Sequence, residues 1–286
     1  MKVTDSTLAR TGAQLLVDAL KIHGADLAFG VPGESYLAVL DAMHDARDHI
    51  RFIICRQEGG AANMAEAYGK LTGRPGICFV TRGPGAANAC LGIHTAYQDS
   101  TPVILFIGQV GNDFVEREAF QEIDYRRMYG QIAKWVAQID RADRVPEYVS
   151  RAFHTAVSGR PGPVVLALPE DMLTENATAA NTGPYHRAAA HPGEADMQEL
   201  RELLAQSKRP FVLLGGSDWN AQACADVRTF AETNDLPVGT AFRRRTSTTT
   251  GCQTSSAMSA SASARSSPGA SKAATSSSRS AHGWTR

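Results

Sequence analysis

The chain has 286 residues with 29 Lys plus Arg against 29 Asp plus Glu, a balance that argues against a nucleic-acid or anionic-membrane partner. Five cysteines (Cys55, Cys78, Cys90, Cys224, Cys252) form no Cys-x-x-Cys pair and no cluster with His, so they read as buried reduced thiols of a soluble cytoplasmic protein. No apolar run is long enough to span a bilayer, the start has no signal-peptide pattern, and the length is enough for one large or two modest domains.

Thr11 is placed to cap a helix over "GAQLLVDALKIH" that stops at Gly24, and "LAFG" then reads as a buried strand ending at "VPGE". The unit repeats. "YLAVLDAMHDA" has helical spacing and "RFIIC" is strand-like; "GGAANMAEAYGKLTG" is helical and "GICFVT" a strand. "GAANACLGIHTAYQ" is again helical and "PVILFIG" a strand. After "GNDFVEREAFQEIDYRRMYG" come "KWVAQ", a helix over about 144–158, and the strand "PVVLALP". Strands recurring at this spacing predict an α/β fold, a parallel sheet covered by helices on both faces.

These elements make up a first domain over 1–173. Residues 174–195, rich in Ala, Thr, Asn and Gly, have no periodicity and read as a linker. "PFVLLGG", a helix over "AQACADVRTFAETN" and "LPVGTAF" then begin a second βαβ domain over 196–242. An unfinished sheet leaves an open edge and bare apolar faces, which predicts poor solubility or partial disorder from about Pro210 onward. Residues 243–286 contain no Leu, Ile, Val, Phe or acidic residue and are expected to be disordered. They read either as a basic Ser/Ala tail or as an out-of-frame stretch, since a one-nucleotide shift decodes their start as ordinary loop and helix sequence.

Chemistry concentrates at strand ends, where open parallel sheets bind ligands. Three carry unusual residues: Gly30-Val31-Pro32-Gly33-Glu34, Arg56-Gln57-Glu58-Gly59-Gly60 and Thr81-Arg82-Gly83-Pro84-Gly85. The helices that follow Glu58 and Gly83 offer N-terminal N–H groups, and glycines allow close backbone approach. No Walker motif and no clean Gly-x-Gly-x-x-Gly is present. His94 and His154 lie on helical segments with no nucleophile context and read as packing or surface residues.

Taken together, Gly-x-Pro-Gly, a strand ending in Glu-Gly before a small-residue helix, Thr-x-Gly-Pro-Gly-Ala-x-Asn and "DSTPVILFIGQV" resemble the N-terminal, pyrimidine-binding domain of thiamine diphosphate enzymes. "REAFQE" and "GRPGPVVLALPED" are most similar to acetohydroxyacid (acetolactate) synthase large subunits, and the resemblance covers about residues 10–242. It implies that Glu58 shares a proton with the cofactor's pyrimidine nitrogen and so promotes loss of the thiazolium C2 proton. It also implies that Pro32 and Gly33 lie near the pyrimidine, that Thr81, Pro84 and Asn88 line its pocket, and that Phe120 and Gln121 lie near the substrate. Where the synthases carry a lysine, Glu170 reverses the charge, so an anionic 2-oxo acid is expected to be less welcome there.

The resemblance further implies a partial thiamine diphosphate site in this chain, with Mg²⁺ and FAD belonging to an intact parent whose C-terminal domain is missing. No metal ligand is assigned here. The expected partners are a 2-oxo acid and a second copy or a complementing full-length homologue. Three functions fit: a truncated acetolactate synthase-like enzyme of branched-chain amino acid biosynthesis, inactive alone; a decarboxylase or lyase of another 2-oxo acid or acyl-CoA; or a non-catalytic pairing module.

Overall fold

The computed structural model describes residues 8–216 and 219–241. They fall into two compact units, one ending at His191 and one starting at Pro192. The first unit opens with β1 (Arg10–Thr11), α1 (Gly12–Ile22), β2 (Leu27–Gly30), α2 (Leu37–Asp45) and β3 (Arg51–Ile54). It continues with α3 (Glu58–Thr72), β4 (Gly76–Val80), α4 (Gly83–Asp99), β5 (Val103–Gln109) and α5 (Tyr125–Tyr129). β6 (Trp135–Gln138), α6 (Val145–Val157), β7 (Pro163–Pro169), α7 (Glu170–Thr174) and β8 (Asn176–Ala177) complete it.

Local signals account for the helix boundaries. Thr11 caps α1 by accepting from the Gln14 N–H, while the Gln14 side chain accepts from the Thr11 N–H. Gly73, at φ 69°, ends α3 in a conformation that costs other residues energy.

The expected parallel sheet is present, six strands in the order β3-β2-β4-β5-β7-β6. Every residue of β4, β5 and β7 is buried, so these strands read as continuous apolar runs. Alternate side chains still go to opposite faces. Ile77, Phe79, Ile104, Phe106, Val164 and Leu166 join the core beneath α1, α2 and α6. Cys78, Val80, Leu105, Ile107 and Val165 join the core beneath α3 and α4. Phe79 and Phe106 stack with centroids 4.7 Å apart, an arrangement that adds about 1 kcal/mol to their burial.

Two features of this scaffold position the site. From β2 the chain runs outward to edge strand β3 and then crosses back to β4 on the other side of β2, so the order reverses between β2 and β4 and a crevice opens at their C-terminal ends. The helices α3 and α4 meet through Ala61, Ala62, Ala65, Ala86 and Ala89. A Cβ on Gly92 of α4 would lie 2.5 Å from that of Ala62, so glycine there permits the approach.

Residues 174–195, expected to be a linker, are partly docked on the first unit. β8 pairs with β1, Arg10 Nη2 donates to the Ala179 carbonyl at 2.9 Å, and the Tyr185 N–H donates to His23 Nδ1 at 3.0 Å. A two-residue ladder and a few isolated side chain to backbone bonds hold the segment, which is why no periodic pattern betrays it.

In the second unit, α8 (Glu194–Gln206) is followed by β9 (Val212–Leu214), α9 (Ala221–Thr233) and β10 (Val238–Thr240), with β9 and β10 parallel. This is the expected βαβ start. α8 is an element beyond those expected, although Met197, Leu200 and Leu203 recur at helical spacing; all three are exposed, as are Phe211 and Leu213. The tail over 243–286, with both of its readings, lies outside the described residues.

Candidate functional site

The crevice gathers the first set of expected residues. β3 ends at Ile54, its ladder extended by the Cys55 N–H donating to the Gly30 carbonyl at 2.8 Å. Gln57 then caps α3, its side-chain oxygen accepting from the Gly60 N–H at 2.9 Å. Glu58 is therefore the first residue of the helix, half-buried at its positive end. Asn88, one turn into α4, donates from Nδ2 to Glu58 Oε2 at 2.9 Å. That bond orients one carboxylate oxygen.

The walls around this carboxylate are thin. Thr81 Oγ1 lies 3.0 Å from Ser35 Oγ, joining the end of β4 to the turn after β2. A side chain at Gly33 would meet Thr81 Cβ at 2.6 Å, and one at Gly85 would meet Thr81 Cγ2 at 3.0 Å and Glu58 Oε1 at 3.5 Å. Glycine at both positions keeps space open beside the carboxylate. Pro32 is exposed at the end of β2, and Pro84 is exposed in the first turn of α4. The N–H groups expected to be free at these helix starts are partly used: Gly60 by Gln57, and Gly83 by the Gln121 carbonyl at 3.1 Å.

The second set meets elsewhere along the same edge. Phe120 is 69% exposed in the loop after β5, and Gln121, half-buried, has φ 63°. Glu170 begins α7 at the end of β7. Arg82 and Glu34 carry no role in the sequence motifs, yet buried Arg82 binds Glu34 Oε1 and Glu170 Oε2 through Nη2, each at 3.2 Å. Glu170 is thus not the bare negative charge expected from the sequence, because a guanidinium from the end of β4 neutralises part of it. The available signal was an Arg in one strand-end turn, with an acid in the turn after β2 and another directly after β7.

Residues 10–128 match the family described as "Thiamine pyrophosphate enzyme, N-terminal TPP binding domain". The likeness to that family is confined to this span, less than half of the chain. Over 233 residues the chain is 38% identical to the acetolactate synthase large subunit of Lactococcus lactis subsp. lactis, an alignment covering 80% of this chain and 40% of that protein. It is 38% identical over 240 residues to the acetolactate synthase large subunit of Parasynechococcus marenigrum, covering 80% and 39%. With the acetolactate synthase isozyme 2 large subunit of Escherichia coli K12 it shares 33% over 229 residues, covering 79% and 41%. The chain is homologous to acetolactate synthase large subunits and spans about 40% of the length of these relatives.

The crevice presents one oriented carboxyl group beside open space at a topological switch point, a chemistry compatible with the pyrimidine half of thiamine pyrophosphate. Nothing equivalent serves a metal, since no group of three or more His, Cys, Asp or Glu among the described residues is placed to hold one. Neighbouring groups stay protonated. Burial pushes the Tyr36 hydroxyl well up, with Cys78 and Glu58 adding to the effect; burial, then Cys55 and Glu58, does the same to the Cys78 thiol. Neither is a nucleophile near neutral pH. Cys55 and Cys224 are likewise buried, Cys90 is partly so, and Cys252 lies outside the described residues. His94 and His154 are exposed on α4 and α6.

A separate cavity of about 230 Å³ lies at the ends of β5, β6 and β7, lined by Gln109, Glu122, Tyr125, Gln138 and Asp140 among others. Glu58 does not line it. No helix among the described residues is long and apolar enough to cross a membrane.

Proposed function

We propose that this chain supplies the pyrimidine-binding half of a thiamine diphosphate site in an acetolactate synthase-like enzyme. The observation that carries the reading is Glu58, seated at the start of α3 with one oxygen held by Asn88 and the space before it kept open by Gly33 and Gly85. Glu58 offers a carboxyl group to the pyrimidine ring nitrogen; Thr81, Pro84, Asn88 and Pro32 surround the ring; Phe120 and Gln121 face the substrate side. The bound cofactor supplies the electron sink for decarboxylating a 2-oxo acid and transferring the two-carbon unit.

In this reading Mg²⁺ and the diphosphate are held by a complementing part of the enzyme, contributed by a second copy of the whole protein or by a full-length homologue. FAD belongs with the domain that β9, α9 and β10 begin. The chain alone is inactive, and the intact parent serves branched-chain amino acid synthesis from a 2-oxo acid.

Ligand-observed NMR of the pyrimidine protons during titration of thiamine diphosphate into the chain tests this. Saturable binding is expected, weakened at least about tenfold by Glu58→Gln because a charge-assisted hydrogen bond is lost. Absence of binding, or equal binding by the variant, overturns the reading.

A further inference from the structure

Arg82 is only 7% exposed, and a guanidinium in that position requires partners. It has them on three different strand ends. Glu34 follows β2, Glu170 follows β7, and the Phe120 carbonyl, which accepts from Nη1 at 3.4 Å, belongs to the loop after β5. The next residue adds a fourth tie, the Gly83 N–H donating to the Gln121 carbonyl.

The loop itself needs such support. Glu116, Glu118 and Gln121 have φ of 61°, 53° and 63°, left-handed values that cost residues other than glycine energy and persist only where the surroundings impose them. Inside the loop, the Glu122 carboxylate accepts from the N–H groups of Glu116 at 2.7 Å and Ala119 at 3.2 Å. Outside it, the ties are those of Arg82 and Gly83. The Phe120 ring is too exposed to anchor the loop by burial.

We propose that Arg82 is a positioning residue that clamps the 116–122 loop, and with it Phe120 and Gln121, to the ends of β2, β4 and β7, with Glu34 and Glu170 as the counter-ions that hold its guanidinium in place. Calling Phe120 and Gln121 substrate-facing rests on the proposed function; the clamp does not. Glu170 acts here as a structural counter-ion, and exchanging it alters the loop before it alters the field at the entrance.

Hydrogen–deuterium exchange of the full chain, resolved by peptide, tests the clamp. Arg82→Met is expected to speed exchange in 114–122 at least about tenfold while β4 and β5 keep their protection. Arg82→Lys, which keeps the charge but loses the fork, should restore part of it. Glu34→Gln with Glu170→Gln should loosen the same loop with Arg82 intact, and this variant decides the matter should Arg82→Met fail to fold.

Unchanged loop exchange in these variants, loosening of the sheet to the same degree, or no rescue by lysine each overturns the proposal. Thiamine diphosphate binding measured on the same samples separates the two readings. A loosened loop in the variants with no binding by the unaltered chain overturns the proposed function and leaves the clamp standing; normal binding with an unaffected loop does the reverse.

Discussion

Lowering the pH from 7.5 to 5.0 is expected to weaken the first unit through one side chain, His23. It follows α1 directly, is 4% exposed, and stacks on Phe153 with centroids 4.6 Å apart. Its Nδ1 accepts the Tyr185 N–H, which only the neutral ring can do, and its Nε2 lies 3.5 Å from Thr182 Oγ1. Burial, and after it the neighbouring His154, lowers its pKa to about 4. The unfolded chain should titrate near the ordinary value, about 6.5. Between those values the unfolded state binds a proton that the folded state refuses, so this contribution is complete above about pH 6.5 and is lost as pH falls toward 4. At pH 5.0 the full linkage loss is about 2 kcal/mol, reduced to roughly 1–2 kcal/mol by solvent near the ring.

Urea unfolding at both pH values, followed by far-UV circular dichroism, measures the loss. His23→Gln keeps an acceptor for the Tyr185 N–H but cannot titrate, so its stability should fall with pH by about 1–2 kcal/mol less than that of the unaltered chain. The same pH dependence in both proteins refutes the argument, since other groups would then carry it. A further sign is local: the 178–187 segment should lose exchange protection at pH 5.0 before the sheet does.

Three other outcomes are expected. Asn88→Ala removes the donor to Glu58 and should weaken thiamine diphosphate binding by about threefold to tenfold, the worth of one net hydrogen bond, without moving the thermal midpoint by more than a few degrees. Gly92→Leu drives a side chain into Ala62 and should cost about 1–3 kcal/mol in urea unfolding while also displacing Asn88 from Glu58; a neutral result would show that α3 and α4 are not close-packed there. Thr11→Ala breaks a reciprocal cap and should cost about 1 kcal/mol by the same measurement, with Thr11→Ser losing much less.

The alternation of apolar runs and helical patterns was enough to read β2 to β7, whereas Glu58, Thr81 and Asn88 stood out only through the family resemblance that the Glu-Gly and Gly-Pro-Gly turns help to carry. Such features are local: a strand buried on both faces must be apolar throughout, and a turn that approaches a ligand must be rich in glycine. The signal for α8 is equally local, since Met197, Leu200 and Leu203 recur at helical spacing. The docking of 178–187 was different in kind, since His23 and Tyr185 stand far apart in sequence and nothing in either neighbourhood marks the pair.

What the amino-acid order determined by itself was the element list, the parallel class of the sheet and the acid placed where a strand hands over to a helix. Tertiary structure alone decided that the crossover between β2 and β4 opens a crevice there, and that small residues in α3 and α4 bring Asn88 to Glu58. It also decided that Glu170 faces a cation. Arg82 lies 48 residues from Glu34 and 88 from Glu170, and no periodicity reaches that far; only assembling the sheet puts their side-chain atoms 3.2 Å apart, where the burial of Arg82 makes pairing obligatory.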